Sequence, residues 1–128
     1  MQLGMIGLGR MGANMVRRLM AGGHECVVYD RGADAVAALA GEGAAGAGSV
    51  ADLVARLRPP RSVWLMVPAG VTGAVVDEVA AHLEPGDTIV DGGNSYYRDD
   101  VDRAEALAAR GILYVDVGTS GGVFGLER

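Results

Sequence analysis

Leu3-Gly-Met-Ile-Gly-Leu-Gly-Arg-Met-Gly12 decides the fold. A short apolar run, Leu3 to Ile6, enters a turn in which Gly7, Gly9 and Gly12 are spaced G-x-G-x-x-G. The chain then takes helical period. Met11, Met15, Val16, Leu19 and Met20 fall on one face, Arg10, Asn14, Arg17 and Arg18 on the other, and Gly22-Gly23 is the stop. A strand, this glycine turn and a helix, in that order, make a backbone site for a pyrophosphate. The first glycine permits the tight turn, the second lets the backbone approach the ligand, and the third lets helix and strand pack closely. Amide N–H groups at the helix start then point at negative charge, which the helix dipole favours.

Such a turn asks for an acid at the end of the next strand. Glu25-Cys-Val-Val-Tyr29 is that strand, and Asp30 ends it. A carboxylate there can accept hydrogen bonds from the adenosine ribose hydroxyls and would repel a 2′-phosphate, so NAD is expected over NADP. Arg31 beside it could partly accommodate that phosphate and keeps NADP as the alternative. Asp30 could instead cap the following helix.

The alternation continues to the end of the chain. Asp34 is expected to cap a short helix through Leu39 that ends in Gly41-Glu-Gly43. Ala44 to Gly48 is a weak third strand, and Ser49 reads as the N-cap of a helix over 50–57. Arg58-Pro-Pro-Arg61 breaks the chain before Ser62-Val-Trp-Leu-Met-Val67, whose unbroken apolar character suits a central parallel strand buried on both faces. A helix follows Pro68-Ala-Gly70, with Val75, Val76, Val79 and Leu83 inward. Glu84-Pro-Gly-Asp87 is a turn, and Thr88-Ile-Val90 is a strand ending at Asp91. Tyr97 to Arg110 is a helix with Val101, Ala104, Leu107 and Ala108 inward, and Ile112 to Val117 is the last strand. Strands and helices in strict alternation, with short connections, predict a Rossmann-type doubly wound parallel α/β sheet of about six strands with helices on both faces. Residues 1–128 are expected to form one dinucleotide-binding domain.

Composition narrows the function classes. The chain has 128 residues, is half hydrophobic, and carries 21 glycines that fall at predicted turns without a three-residue period. Its net charge of −5 argues against a nucleic-acid partner. No apolar run approaches the roughly 20 residues of a membrane span, so no membrane partner is expected. A strand that begins almost at Met1 argues against a signal peptide, and the single cysteine, Cys26, fits a reducing cytoplasm. Cys26 and Trp64 read as core residues, and no His/Cys cluster suggests a metal. All eleven basic residues are arginines, so no side-chain amine is available as a base.

In an open parallel sheet, ligands sit beyond the carboxyl ends of the strands. Four loops should meet there: 7–12, 67–70, 91–95 and 118–122. The last two offer Asn94, Ser95, Thr119 and Ser120, which would suit a polyhydroxylated or carboxylated substrate, although Asn-Ser and Ser-Gly are also ordinary turn formers. Four blocks, Gly7-Leu-Gly-Arg-Met-Gly-Ala-Asn14, Val67-Pro-Ala-Gly70, Asp91-Gly-Gly-Asn-Ser-Tyr96 and Gly118-Thr-Ser-Gly-Gly122, resemble the decarboxylating 6-phosphogluconate dehydrogenases. The first block and the final Ser-Gly-Gly are shared with the wider β-hydroxyacid dehydrogenases, and Asp-Gly-Gly-Asn-Ser narrows the resemblance to the phosphogluconate branch.

The resemblance implies roles. Gly7, Leu8, Gly9, Arg10, Met11 and Gly12 would hold the pyrophosphate, with Asp30 and Arg31 at the adenosine ribose. Val67, Pro68 and Ala69 would lie against the riboses, and Asn94 would touch cofactor and substrate. Ser120, Gly121 and Gly122 would bind the sugar acid near its carboxylate. The family reaction oxidises the C3 hydroxyl of 6-phosphogluconate by hydride transfer; the β-keto acid loses CO2, and the enediol is protonated to ribulose 5-phosphate. Asp30-Arg31-Gly32, where many NADP-dependent members have an Asn-Arg-Thr segment, resembles the shorter, NAD-preferring bacterial members. Pro68 stands where the longer type often has a lysine. The implied partner is a small sugar-acid phosphate, and the parent enzyme is expected to be a homo-oligomer.

The family's catalytic lysine and glutamate belong to a later helical domain, and the chain has neither that lysine nor that domain. His24 and His82 fall at the far ends of helices, on the edge of the sheet opposite the site. The 128 residues are therefore expected to be a cofactor domain that binds NAD without catalytic residues of its own. Two other readings are the cofactor domain of a related β-hydroxyacid dehydrogenase and a stand-alone, non-catalytic NAD-binding redox sensor.

Overall fold

The computed structural model of the chain describes residues 2–67, 69–92 and 97–116. Eleven elements alternate along them: β1 Gln2–Ile6, α1 Arg10–Ala21, β2 Glu25–Tyr29, α2 Ala33–Ala40, β3 Ala45–Gly46, α3 Val50–Arg56, β4 Ser62–Leu65, α4 Ala69–Ala80, β5 Thr88–Asp91, α5 Tyr97–Ala108 and β6 Leu113–Asp116. The six strands form one sheet in the order β3-β2-β1-β4-β5-β6, and every neighbouring pair is parallel. The doubly wound Rossmann-type arrangement expected from the sequence is therefore present. Strand order reverses between β1 and β4, and a ligand of such a sheet sits at that switch.

The period of two along each strand splits the core into two layers. Ile6, Val27, Val63, Leu65, Ile89 and Tyr114 face one side and pack with Leu53 and Val54 of α3, Val76 and Val79 of α4 and Leu107 of α5. Leu3, Met5, Cys26 and Val28 face the other and pack with Val16 of α1 and Leu39 of α2. Trp64 is half-buried against this second layer. The Cys26 thiol is buried, and burial pushes its pKa up, which suits a core residue rather than a nucleophile.

Local chemistry accounts for most element ends. Ser49 caps α3, its hydroxyl accepting from the Asp52 amide at 3.0 Å, while Asp52 accepts in return from the Gly48 amide at 2.9 Å. Asp34 does not cap α2; the N-cap is Gly32, and Asp34 lies in the first turn, where its charge still complements the helix dipole. Ala108, expected inward on α5, is exposed, and Leu107 beside it takes the core-facing place in the last turn.

The edge of the sheet opposite the switch is fixed by a buried ion pair. Asp87, 1% exposed, accepts from the Arg61 amide at 2.7 Å, the Glu84 amide at 2.9 Å and the Arg61 guanidinium at 3.2 Å. These contacts tie the entry to β4 to the turn before β5. Burial opposes the charge of Asp87, but the two amides and the guanidinium outweigh it and hold the carboxyl below its ordinary value. A carboxyl depressed in the folded state stabilises above its unfolded pKa of about 3.9, and that contribution is lost as pH falls through the lower folded value. Asp87→Ala should cost about 3 kcal/mol in chemical denaturation at neutral pH. Between about pH 5 and pH 2, the melting temperature should fall more steeply for the wild type than for Asp87→Asn.

Candidate functional site

The site is built where β1, β2 and β4 end side by side. Past the last paired residues the backbone ladder continues: the Gly7 amide donates to the Tyr29 carbonyl at 3.0 Å, Met66 to Ile6 at 2.8 Å, and Gly92 to Leu65 at 2.9 Å. The exits of β1, β2, β4 and β5 are thus held in register, and the glycine turn leaves from the centre of that row.

The three glycines are there for different reasons. Gly7 has φ +98°, and a Cβ on it would collide with the Met66 carbonyl. A Cβ on Gly12 would collide with the Gly7 carbonyl, so α1 packs directly on the turn. Gly9 is unlike either: a Cβ on it would meet nothing within 4 Å, and its φ of −66° is open to any residue. Protein packing does not require a glycine at Gly9. A ligand that comes against the backbone there does, and the residues present fit a bound pyrophosphate.

The surrounding charge fits as well. Gly9 is the N-cap of the 12-residue α1 and supplies no side-chain cap, and the first turn holds no acidic residue. The positive end of the helix dipole therefore meets no carboxylate of its own helix. Leu8 contributes its backbone to the turn, while its side chain is buried in the α1-side core. Arg10 is exposed and Met11 half-buried.

Asp30 does more than its position in the sequence suggests. One carboxylate oxygen accepts from the Leu8 amide at 2.6 Å and the other from the Gly32 amide at 2.8 Å. It pins the glycine turn to the end of β2. Each oxygen keeps a second lone pair, so a ribose hydroxyl can still be accepted.

A cleft of about 810 Å³ opens at this place. Gly7, Gly9, Asp30, Arg31 and Val67 line it, as the sequence implied. Ile6, Tyr29, Val50, Met66, Val71, Ala74, Val75 and Glu78 line it too, and sequence reasoning missed them as site residues. The available signal was the 71-74-75-78 stripe on α4, but a stripe with that spacing reads equally well as core. Ala69 is the first residue of α4. Pro68, Asn94, Ser120, Gly121 and Gly122 lie outside the described residues. Among the described residues no group of three or more metal-ligating side chains occurs, and no helix is long and apolar enough to cross a membrane.

At the end of β5, Asp91 is fully buried and accepts from the Tyr114 hydroxyl at 2.6 Å. His24 precedes β2 and His82 follows α4, so both stand at the opposite edge from the cleft.

The glycine geometry makes a paired prediction. Gly12→Ala should lower the melting temperature markedly, because its Cβ has no room. Gly9→Ala should cost about 1 kcal/mol or less of stability yet weaken NAD binding at least tenfold in a fluorescence titration. Unchanged affinity in Gly9→Ala would remove the pyrophosphate from this turn.

Residues 2–128 match the family described as the NAD binding domain of 6-phosphogluconate dehydrogenase. A decarboxylating, NAD(+)-dependent 6-phosphogluconate dehydrogenase from Haloferax volcanii is 53% identical over 128 residues, which is 99% of this chain and 42% of that protein. Among solved structures, 6-phosphogluconate dehydrogenase from Plasmodium falciparum, determined with its cofactor NADP+ and with its substrate 6-phosphogluconate, superimposes with a TM-score of 0.81 at 27% identity, over 89% of this chain and 26% of that one. A 3-hydroxyisobutyrate dehydrogenase from Mycobacterium tuberculosis gives 0.80 at 25% identity, over 90% and 39%. The chain spans less than half the length of these proteins. With a glycine turn, an acid at the end of β2 and a cleft at the strand switch, matched from residue 2 to residue 128, the chain belongs to the family of NAD-binding domains of 6-phosphogluconate dehydrogenase.

Proposed function

We propose that this chain is the cofactor-holding part of an enzyme that oxidatively decarboxylates 6-phosphogluconate to ribulose 5-phosphate, and that it takes NAD rather than NADP. The observation that carries the proposal is the open space over Gly9, at the uncapped start of α1 and beside Asp30. A pyrophosphate fills that space against the turn amides of residues 7–12. The adenosine ribose then reaches Asp30, with Arg31 at the rim, and Val67, Pro68 and Ala69 lie along the riboses. Asn94 sits between cofactor and sugar acid, and Ser120, Gly121 and Gly122 bind the acid near its carboxylate. When bound, NAD accepts the hydride from C3 of the substrate.

NAD preference follows from charge. A 2′-phosphate would be placed against the Asp30 carboxylate, which the Leu8 and Gly32 amides hold in place and prevent from swinging aside. The Haloferax volcanii relative, 53% identical, is named as NAD(+)-dependent.

Oxidation also needs a general base within hydrogen-bond reach of the substrate hydroxyl. The chain has no lysine, and both histidines stand at the other edge of the sheet. The base, and with it the substrate-closing part of the pocket, is assigned to a helical catalytic and dimerisation domain of the parent enzyme. That parent is a homo-oligomer of the cytoplasm, a compartment that suits a lone buried cysteine.

Titration of the 128-residue chain should give tighter binding of NAD than of NADP. Equal affinity, or tighter NADP, would refute the role given to Asp30. Asp30→Ala should weaken NAD binding and also lower the melting temperature, because the Leu8 amide loses its acceptor. Incubated with NAD and 6-phosphogluconate, the 128 residues alone should form no ribulose 5-phosphate; measurable product would place a base within this chain.

A further inference from the structure

Placing the pyrophosphate on the glycine turn and the ribose at Asp30 leaves the far end of the cleft to the base of the dinucleotide. That end is formed by α4. Val71, Ala74, Val75 and Glu78 recur at helical spacing and all line the cleft, so they make one stripe along its wall. Val71 is 37% exposed and is one of two large exposed hydrophobic side chains among the described residues. Its apolar surface is left uncovered inside the cleft, where a flat aromatic ring would cover it. Arg31 lines the same cleft and offers a guanidinium plane to such a ring.

The apolar stripe ends in a carboxylate. Glu78 is an acceptor only. Among the described residues it makes no hydrogen bond or ion pair, whereas Asp30, the other carboxylate of the cleft, already accepts two backbone amides. An acceptor at the rim of a base-sized apolar wall complements a base that carries an amino group on its edge. It opposes a base that carries a carbonyl there.

We propose that Glu78 reads the purine of the cofactor: its carboxylate accepts a hydrogen bond from the exocyclic 6-amino group of adenine, while Val71 and Val75 cover one face of the ring. The site then selects a 6-aminopurine dinucleotide over a 6-oxopurine one. This rests on the dinucleotide reading of the cleft given above.

Titrating the 128-residue chain with NADH and with reduced nicotinamide hypoxanthine dinucleotide tests it, because the two differ only along one edge of the purine, a 6-amino group and bare N1 against a 6-carbonyl and N1–H. The wild type should bind the adenine form about tenfold more tightly. Glu78→Gln offers a donor as well as an acceptor, so it should bring the two affinities to within about twofold while the circular dichroism spectrum stays unchanged. Val71→Ala should weaken both dinucleotides together and leave their ratio as in the wild type. A wild type that binds both equally, or a ratio that survives Glu78→Gln, overturns the role of Glu78 and leaves the cofactor site standing. A wild type that binds neither overturns both.

Discussion

The hydrogen bond from the Leu8 amide to Asp30, 2.6 Å long, is the contact on which the site depends. The glycine turn has no side chains of its own to hold it. Its shape is fixed from outside, by the Tyr29 carbonyl on the Gly7 amide, by Asp30 on the Leu8 amide, and by α1 packed through Gly12 onto the Gly7 carbonyl. The turn amides are therefore aimed before any ligand arrives, and a pyrophosphate bound there would not bear the entropy of ordering the turn. Asp30 holds the turn and lines the cleft with the same side chain, so a change at Asp30 would disturb the loop as well as the wall of the cleft.

Most of this architecture was legible in the sequence, because parallel strands buried on both faces and helices buried on one leave different periods. β2 matches its expected limits of Glu25 to Tyr29, and Ser49 caps α3 as expected. The start of α2 was not legible. Asp34 is a good cap in isolation, but Gly32 is already anchored by Asp30, and the helix begins from that anchor. The double role of Asp30 was hidden for a related reason: a carboxylate that binds a loop 22 residues away carries no local signature.

The walls of the cleft were the least legible part. Val71 and Val75 follow the same spacing that buries Val76 and Val79 in the core. A pocket wall and a core stripe obey one rule, burial of apolar surface, and differ only in whether protein or ligand supplies the cover. The Ser-Gly and Asn-Ser loops posed the opposite difficulty. Their residues are common in turns whatever they bind, so the roles of Asn94 and Ser120 came from family resemblance rather than from chemistry in the sequence.

A parallel sheet sends every strand exit to one edge, and this chain divides its work accordingly. At the entry edge, Asp87 and Arg61 form a buried, fully bonded pair, and the nearby histidines contribute nothing to the cleft. At the exit edge, uncapped helix amides face open space. The Asp87–Arg61 pair and the glycine turn therefore share no residue, and substitutions at the two edges should add independently unless they share a partner. The exit edge is also where charge decides identity. Among the described residues that line the cleft, Asp30 and Glu78 set two carboxylates against one guanidinium, that of Arg31. The helix dipole and turn amides would favour a pyrophosphate, while the Asp30 carboxylate beyond them would oppose a further phosphate on the ribose. Attraction for one phosphate group and repulsion of another, separated by the width of a ribose, is what distinguishes an NAD site from a site for dinucleotides in general.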